Sequence, residues 1–362
     1  MAMHHRPMDM LILFVTGRCN AKCQHCFYWQ NLGRDHEGLE LNHLAQIASS
    51  MPPFRTLLLS GGEPTLREDL PQLIRIFVTF NRIRNVSIPT NGLLPQKLTF
   101  LAEEIVNISP KLLVSFNVSI DGFADIHDQI RGVPGAYDLA MESLSRLREV
   151  ADKYANLRVW VNTVIMSVNH SQILDLANHI LVSRLADGHF FEIIRGEPLS
   201  ASLKAISPEA LKVLYKRLLP IQATYLLQEA KRRRGPVGGI LRYILDMGNL
   251  INRYYHQWKV YAGTGIWNFP CRAGQDIGVI DYNGYLRICE LRNQGVDLKD
   301  FGFNFWEAWN SKVVQQEREI ARSHLCDCTH TCFIGVSMRR NFSARFLQSA
   351  LLFVRFQMRL LW

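Results

Sequence analysis

Six short apolar runs rich in β-branched and aromatic residues alternate with helical patterns through the first half of the chain. No other feature constrains the fold as strongly. The runs are Met10 to Val15, Thr56 to Ser60, Asn85 to Pro89, Leu112 to Ile120, Arg158 to Met166 and His189 to Ile194. Between the second and third, Leu70, Leu73, Ile74, Phe77 and Val78 recur at helical spacing, which predicts a helix covering one face of a parallel sheet. Six such units are fewer than the eight that close a full barrel. The expected fold is therefore α/β, an open partial (β/α)6 TIM-like barrel with its functional residues at the carboxyl ends of the strands.

From about Gly196 to Gly265 the alternation stops. A basic, helix-like stretch takes over, containing Lys231-Arg232-Arg233-Arg234 and then the breakers Gly235, Pro236, Gly238 and Gly239. It reads as a linker with helices of its own, its basic run a solvated helix end. Beyond Cys271, residues alternate on either side of Asn283-Gly284, the dipeptide suited to a tight primed turn, which predicts a β-hairpin. These shifts divide the chain into a barrel over 1–196, a helical linker over 197–265, a small cysteine-rich C-terminal domain containing the hairpin over 266–335, and a basic apolar C-terminal helix over 336–362.

The eight cysteines fall into two groups, Cys19, Cys23 and Cys26, then Cys271, Cys289, Cys326, Cys328 and Cys332, with none between. Such clustering in a chain of 362 residues favours metal or iron-sulfur ligation over disulfides. Cys19-Asn20-Ala21-Lys22-Cys23-Gln24-His25-Cys26 sets three thiolates directly after the first strand. A structural zinc site closes four protein ligands around the metal, whereas a 4Fe-4S cube held by three cysteines leaves one iron open to a small molecule. On spacing alone, a zinc site completed by His25 or a distant cysteine is the alternative.

The triplet, with its spacing, its place after the first strand and the aromatic His25 before its third cysteine, resembles that of the radical S-adenosylmethionine (radical SAM) enzymes. The likeness continues where later strands end. Ser60-Gly61-Gly62-Glu63-Pro64 is similar to the family's GGEP segment, while Thr90-Asn91-Gly92 and Ser119-Ile120-Asp121-Gly122 are similar to segments that contact the cofactor's ribose and methionine moieties. His127-Asp128-Gln129-Ile130-Arg131-Gly132 resembles a loop that carries an arginine toward the cofactor's carboxylate. Taken singly, Asn-Gly and Asp-Gly are also plain turn chemistry. The resemblance implies a 4Fe-4S cluster on Cys19, Cys23 and Cys26 whose open iron chelates S-adenosylmethionine. It further implies that His25 lies near the adenine, that Gly61, Gly62 and Glu63 receive the ammonium, that Asn91, Ser119 and Asp121 meet ribose and methionine, and that Arg131 meets the carboxylate. The implied reaction is one-electron cleavage of the cofactor to methionine and a 5′-deoxyadenosyl radical, which takes a hydrogen atom from an unactivated carbon of the substrate. The fifth run, Trp160-Val161-Asn162-Thr163-Val164, lacks the glycine-rich pattern some members show there.

Cys271, followed by Gly284 and by Cys289 five positions later, resembles the opening of the SPASM or twitch extensions that hold auxiliary clusters. Cys326-Asp327-Cys328-Thr329-His330-Thr331-Cys332 departs from the longer cysteine series of a full SPASM domain. The implied set is one auxiliary 4Fe-4S cluster on Cys271, Cys289, Cys332 and either Cys326 or Cys328, with His330 outside the ligands. A zinc ribbon is the alternative for this half.

Composition enters at the question of partners. The formal charge of +9, from 41 Lys and Arg against 32 Asp and Glu, is mild for so long a chain, so nucleic acid is permitted but not indicated. Relatives with such extensions often modify ribosomally made peptides or proteins, which makes a peptide the leading substrate. A small or lipid-linked metabolite is the runner-up, and a non-catalytic metal-binding barrel the reading of a different class. An electron donor such as flavodoxin or ferredoxin is implied. Met1 to Arg6 precede no apolar segment long enough for a signal peptide, which reads as cytoplasmic. The segment Phe342 to Trp362, broken by Arg345, Arg355 and Arg359, is too often charged to span a bilayer and reads as a packed helix or a helix lying on a membrane surface.

Overall fold

The computed structural model describes residues 8–33, 38–323, 328–358 and 360, with backbone alone at 233–237. All six expected runs are strands, with bounds that differ by at most one residue: β1 (Met10–Phe14), β2 (Thr56–Ser60), β3 (Asn85–Thr90), β4 (Leu113–Ser119), β5 (Leu157–Ile165) and β6 (Gly188–Ile193). They pair in parallel in the order β6-β5-β4-β3-β2-β1. Helices α1 (Leu41–Ser49), α2 (Leu70–Asn81), α3 (Pro95–Val106), α4 (Ala124–Arg131), α5 (Ala136–Lys153) and α6 (Ile173–Ser183) fill the crossovers.

The two-residue period of the strands sorts their side chains. Leu57, Val86, Ile88, Phe116, Val118, Val159 and Val161 share one buried core with Leu73, Ile74 and Phe77 of α2, as the helical spacing predicted. The alternate residues Ser60, Ser87, Asn117, Ser119, Asn162 and Glu192 face the concave side and line a cavity. The interior wall is thus mixed, since Met10, Ile12, Leu58, Val164 and Phe190 line the same cavity, where these outer-layer residues are all apolar.

The linker region is one helical element, α7 (Pro208–Tyr261), of 54 residues. Straight, it would run about 80 Å. Instead its ends lie side by side, because Trp258 Nε1 donates to the Pro208 carbonyl at 3.0 Å and Tyr215 stacks on Tyr254 at 4.1 Å. A Cβ on Gly239 would sit 3.1 Å from the Ala230 carbonyl, so the chain reverses between those residues. Two antiparallel arms result, hinged where the glycine and proline breakers stand.

Beyond Cys271, β7 (Ile277–Ile280) pairs in parallel with β1, and β8 (Tyr285–Arg287) and β9 (Gly295–Asp297) follow antiparallel. The hairpin therefore extends the barrel's own sheet to nine strands. Its turn differs from the primed turn expected of Asn283-Gly284. Gly284 N donates to the Asp281 carbonyl at 2.9 Å, and of the turn residues only Gly284 has a positive φ, at 93°. The reversal is a four-residue turn ending in a left-handed glycine, which accommodates Asn283 without placing it in that region.

Helices α8 (Phe305–Trp309), α9 (Lys312–Arg322) and α10 (Thr331–Arg340) follow. The single helix expected over 336–362 is divided. α10 begins before that range and stops at Asn341, and the chain re-enters a π-helical turn over Ser343–Gln348 that leads into α11 (Ser349–Gln357). Asn341 is extended, with φ −105° and ψ 114°, and this ends α10. α11 runs antiparallel to the second arm of α7: Asn252 Nδ2 donates to the Ala344 carbonyl at 2.8 Å, and Tyr243 meets Phe353 edge-on at 6.2 Å. A Cβ on Gly248 would lie 2.5 Å from the Ser349 carbonyl, so glycine permits that approach. No helix among the described residues is long and apolar enough to cross a membrane.

Candidate functional site

A cavity of 460 Å³ opens on the concave face of the sheet. Its wall is made by the strand tips, by the triplet loop, and by one face of α10 carrying Thr331, Cys332, Gly335 and Arg339. Of the residues singled out in the sequence, Cys19, Cys23, His25, Cys26, Gly61, Gly62, Glu63, Asn91, Ser119, Arg131 and Cys332 all line it.

The triplet loop is zipped to the end of α4: Lys22 N donates to the Arg131 carbonyl at 3.0 Å and Gln24 N to the Ile130 carbonyl at 2.9 Å. Each thiol meets a donor. The Ala21 and Tyr28 amides serve Cys19 and Cys26, and Arg131 Nη1 stands 3.7 Å from Cys23 Sγ. Burial pushes the Cys19 thiol up to about 12 and that of Cys26 to about 11, so metal binding at neutral pH must release their protons. Among the described residues no three His, Cys, Asp or Glu side chains converge as one metal ion would require. A cube, in which each thiolate caps a different iron, suits a wider spread of sulfurs, and amide donors to sulfur are its usual surroundings. Three thiols with amide and guanidinium donors fit a 4Fe-4S cluster, which needs only three protein ligands to leave one iron open.

Gly61 and Gly62 lie against the strand-to-triplet segment. Gly62 N donates to the Thr16 carbonyl and Glu63 N to the Arg18 carbonyl, both at 2.8 Å. A Cβ on Gly62 would collide with the Arg18 carbonyl, so this approach requires glycine. The Glu63 carboxylate accepts from Thr65 Oγ1 at 2.6 Å and Asn91 N at 2.7 Å. Burial nevertheless raises its pKa. Asn91 is fixed in turn by its bond to Asn20 Oδ1 at 2.7 Å.

Asp121 sits beneath this wall instead of on it, fully shielded from water. Its carboxylate pairs with Arg131 Nη2 at 2.6 Å, lies 3.9 Å from His25 Nε2 and accepts from Val164 N at 2.8 Å. Burial alone would raise its pKa, but Arg131, His25 and His127 outweigh it and hold the carboxyl below its usual range. Burial likewise lowers His25 to about 4, so its imidazole is neutral, and its Nδ1 is buried without a partner. Arg131 thus bridges Asp121 and Cys23.

In the second group, Cys271 and Cys289 are buried, and Cys328 and Cys332 pack against the same core. Cys326 lies outside the described residues. The pattern of amide donors two residues on recurs here: Ala273 N to Cys271 Sγ and Leu291 N to Cys289 Sγ at 3.4 Å, and His330 N to Cys328 Sγ at 3.1 Å. Cys332 brings this group to the cavity wall, where burial pushes its thiol up to about 12. His330, buried, bonds Glu290 through Nε2. Burial alone would raise Glu290, but His330, Arg195 and Arg287 hold it at about 2.

Sequence reasoning missed Glu192, Arg195, Arg253 and Glu290, all of which line the cavity. Glu192 and Arg195 lie at the end of a recognised strand and could have been found by that position. Arg253 lies mid-helix, and no local pattern marks it.

A family model described as the radical SAM superfamily matches residues 13–180. The Fe-coproporphyrin III synthase of Methanosarcina barkeri is 31% identical over 192 residues, covering 51% of this chain and 45% of that protein. The sporulation killing factor maturation protein SkfB of Bacillus subtilis is 26% identical over 287 residues, 78% of this chain and 60% of that protein. The chain thus spans about half the length of these curated relatives. Among solved structures, anSMEcpe with bound AdoMet and Cp18Cys peptide superposes with a TM-score of 0.58 at 16% identity, covering 98% of this chain and 96% of that one.

Proposed function

With residues 13–180 placing the chain in the radical SAM superfamily, we propose that it is an enzyme that abstracts a hydrogen atom from an unactivated carbon of a peptide or protein. The observation that carries this reading is a single cavity with the three thiols of the triplet on its wall and Cys332 of the second group on it too. A 4Fe-4S cluster with S-adenosylmethionine supplies, when bound, the 5′-deoxyadenosyl radical. The chain does the rest. Cys19, Cys23 and Cys26 would hold that cluster, with Arg131 and two backbone amides stabilising their sulfurs. Glu63, fixed by Thr65 and Asn91, would receive the cofactor's ammonium. Asn91, Ser119 and the neutral His25 would border its ribose and adenine, and Asp121 would orient Arg131. Cys271, Cys289, Cys332 and one of Cys326 and Cys328 would hold one auxiliary cluster. α10 fills the side of the cavity that the strands leave open, which restricts water around a reactive radical.

A peptide substrate is supported by the solved neighbour that carries a bound Cp18Cys peptide, which matches over 98% of this chain. Oxygen-free reconstitution followed by dithionite and S-adenosylmethionine is expected to yield 5′-deoxyadenosine. Deuterated peptides should then pass deuterium into that product, and transfer from a tetrapyrrole alone would overturn the peptide assignment.

One observation favours an additional contact with a lipid surface. Leu347, Leu351, Val354 and Met358 recur at helical spacing on the last helical segment and are exposed, with Phe342 exposed before them. From Cys328 to Trp362 the sequence has five arginines and neither Asp nor Glu. An apolar stripe in a cationic segment suits anionic lipid. The full chain is expected to float with phosphatidylglycerol vesicles, and a variant with Leu351→Ser and Val354→Ser to stay at the bottom of the gradient. Equal flotation of the two would remove this reading.

A further inference from the structure

The cavity has arginines on its wall, and all but one of those described have an anion within the protein. Arg131 is paired with Asp121 at 2.6 Å, Arg195 with Glu192 at 2.5 Å and Glu290 at 3.5 Å, and Arg339 with Asp9 at 2.7 Å. Arg253, on the second arm of α7, lines the same cavity and forms no ion pair among the described residues. Its Nε is shut off from water and has no hydrogen-bond partner. The backbone that carries it is fixed from both sides, by Asn252 bonded to the Ala344 carbonyl and by Tyr254 stacked on Tyr215. Arg253 is half-buried, with its Nε shielded and no ion-pair partner beside its guanidinium, so the arrangement is completed by an anion that enters the cavity.

We propose that Arg253 recognises a carboxylate of the substrate, which deepens the enzymatic reading above and rests on it. A guanidinium offers a planar fork that a carboxylate accepts with both oxygens. One unpaired guanidinium balances the single charge of a carboxylate, whereas a phosphate monoester would bring a second charge when the other described arginines of the wall are already paired. Met10, Ile12, Leu58 and Phe190 supply apolar wall beside these groups. The substrate class is therefore an apolar body ending in one carboxylate, as at a peptide's C-terminus or an acidic side chain.

The rival role is charge compensation for a cluster, since Cys332 is within electrostatic reach of Arg253. The probes are hexanoate and its neutral isostere hexanamide, titrated by saturation-transfer NMR into the full, reconstituted chain with S-adenosylmethionine present. Hexanoate is expected to bind about tenfold more tightly than hexanamide, as one charge-assisted contact predicts. Arg253→Gln should erase that preference while iron content and S-adenosylmethionine affinity stay unchanged, and Arg253→Lys should keep part of it. Equal binding of the two probes to the wild type, or a preference that survives in Arg253→Gln, overturns the proposal. Should Arg253→Gln lose iron, Arg253→Lys decides: iron restored with no preference for hexanoate assigns the residue to the cluster and overturns the proposal. Formation of 5′-deoxyadenosine is read separately, so failure of the enzymatic reading would not be mistaken for failure of carboxylate binding.

Discussion

Replacing Cys19, Cys23 and Cys26 together with alanine is expected to abolish 5′-deoxyadenosine formation and to remove about four iron atoms per chain while the fold persists. The fold persists because Cys19 and Cys23 pack against a small satellite group with Ala21, Leu93 and Ala136, and Cys26, half-buried, meets only the edge of the main core. The loop stays attached to α4 by backbone hydrogen bonds that involve none of the three side chains. Iron on the C-terminal group should remain, which separates this result from general loss of metal. Elemental analysis with product chromatography reads both quantities, and iron content equal to the wild type would end the assignment of the triplet to a cluster.

Asp121→Ala should be the most damaging single substitution for stability, at about 3–5 kcal/mol near neutral pH, the usual result of leaving one partner of a buried ion pair alone. The change strands Arg131, strips the Val164 amide of its acceptor and removes the charge facing His25. Asp121→Asn can keep an acceptor for the amide and should cost less. Pairing Asp121→Ala with Arg131→Leu should recover part of the loss, since the stranded cation is then gone. The sign with pH follows from the depressed carboxyl pKa. The Asp121 contribution is complete above the ordinary carboxylate range and is lost as pH falls below it, so wild type and variant converge on acidification. Urea unfolding of the cluster-free chain at two pH values tests this, and a loss under about 1 kcal/mol at pH 7 would show that the pair behaves as though exposed.

The barrel was readable because its information is local. Each strand announces itself by a short apolar run, and the residues at its carboxyl tip follow directly in sequence, where the family resemblance singles out Glu63, Asn91 and Ser119. The same route selected Asp121, but its place under Arg131 depends on how α4 packs, and no strand pattern encodes that. Asn283-Gly284 marked a hairpin correctly and its turn incorrectly, because Asp281 begins the reversal two residues earlier. Arg253 was invisible for a further reason. It becomes a cavity residue only when the two arms of α7 fold together, and helical periodicity ranks an arginine there as an ordinary surface residue.

The pairing of β7 with β1 has a mechanical consequence. β1 leads into the cysteine triplet, and β7 lies between Cys271 and Cys289, so adjacent strands about 4.8 Å apart anchor the two sulfur-rich regions. Thermal motion cannot easily change the separation between them, as it could across a flexible tether. Nor can the N-terminal half be cut free cleanly. Truncation before residue 277 would bare a row of β1 amides and carbonyls, inviting edge-to-edge association of the shortened chains.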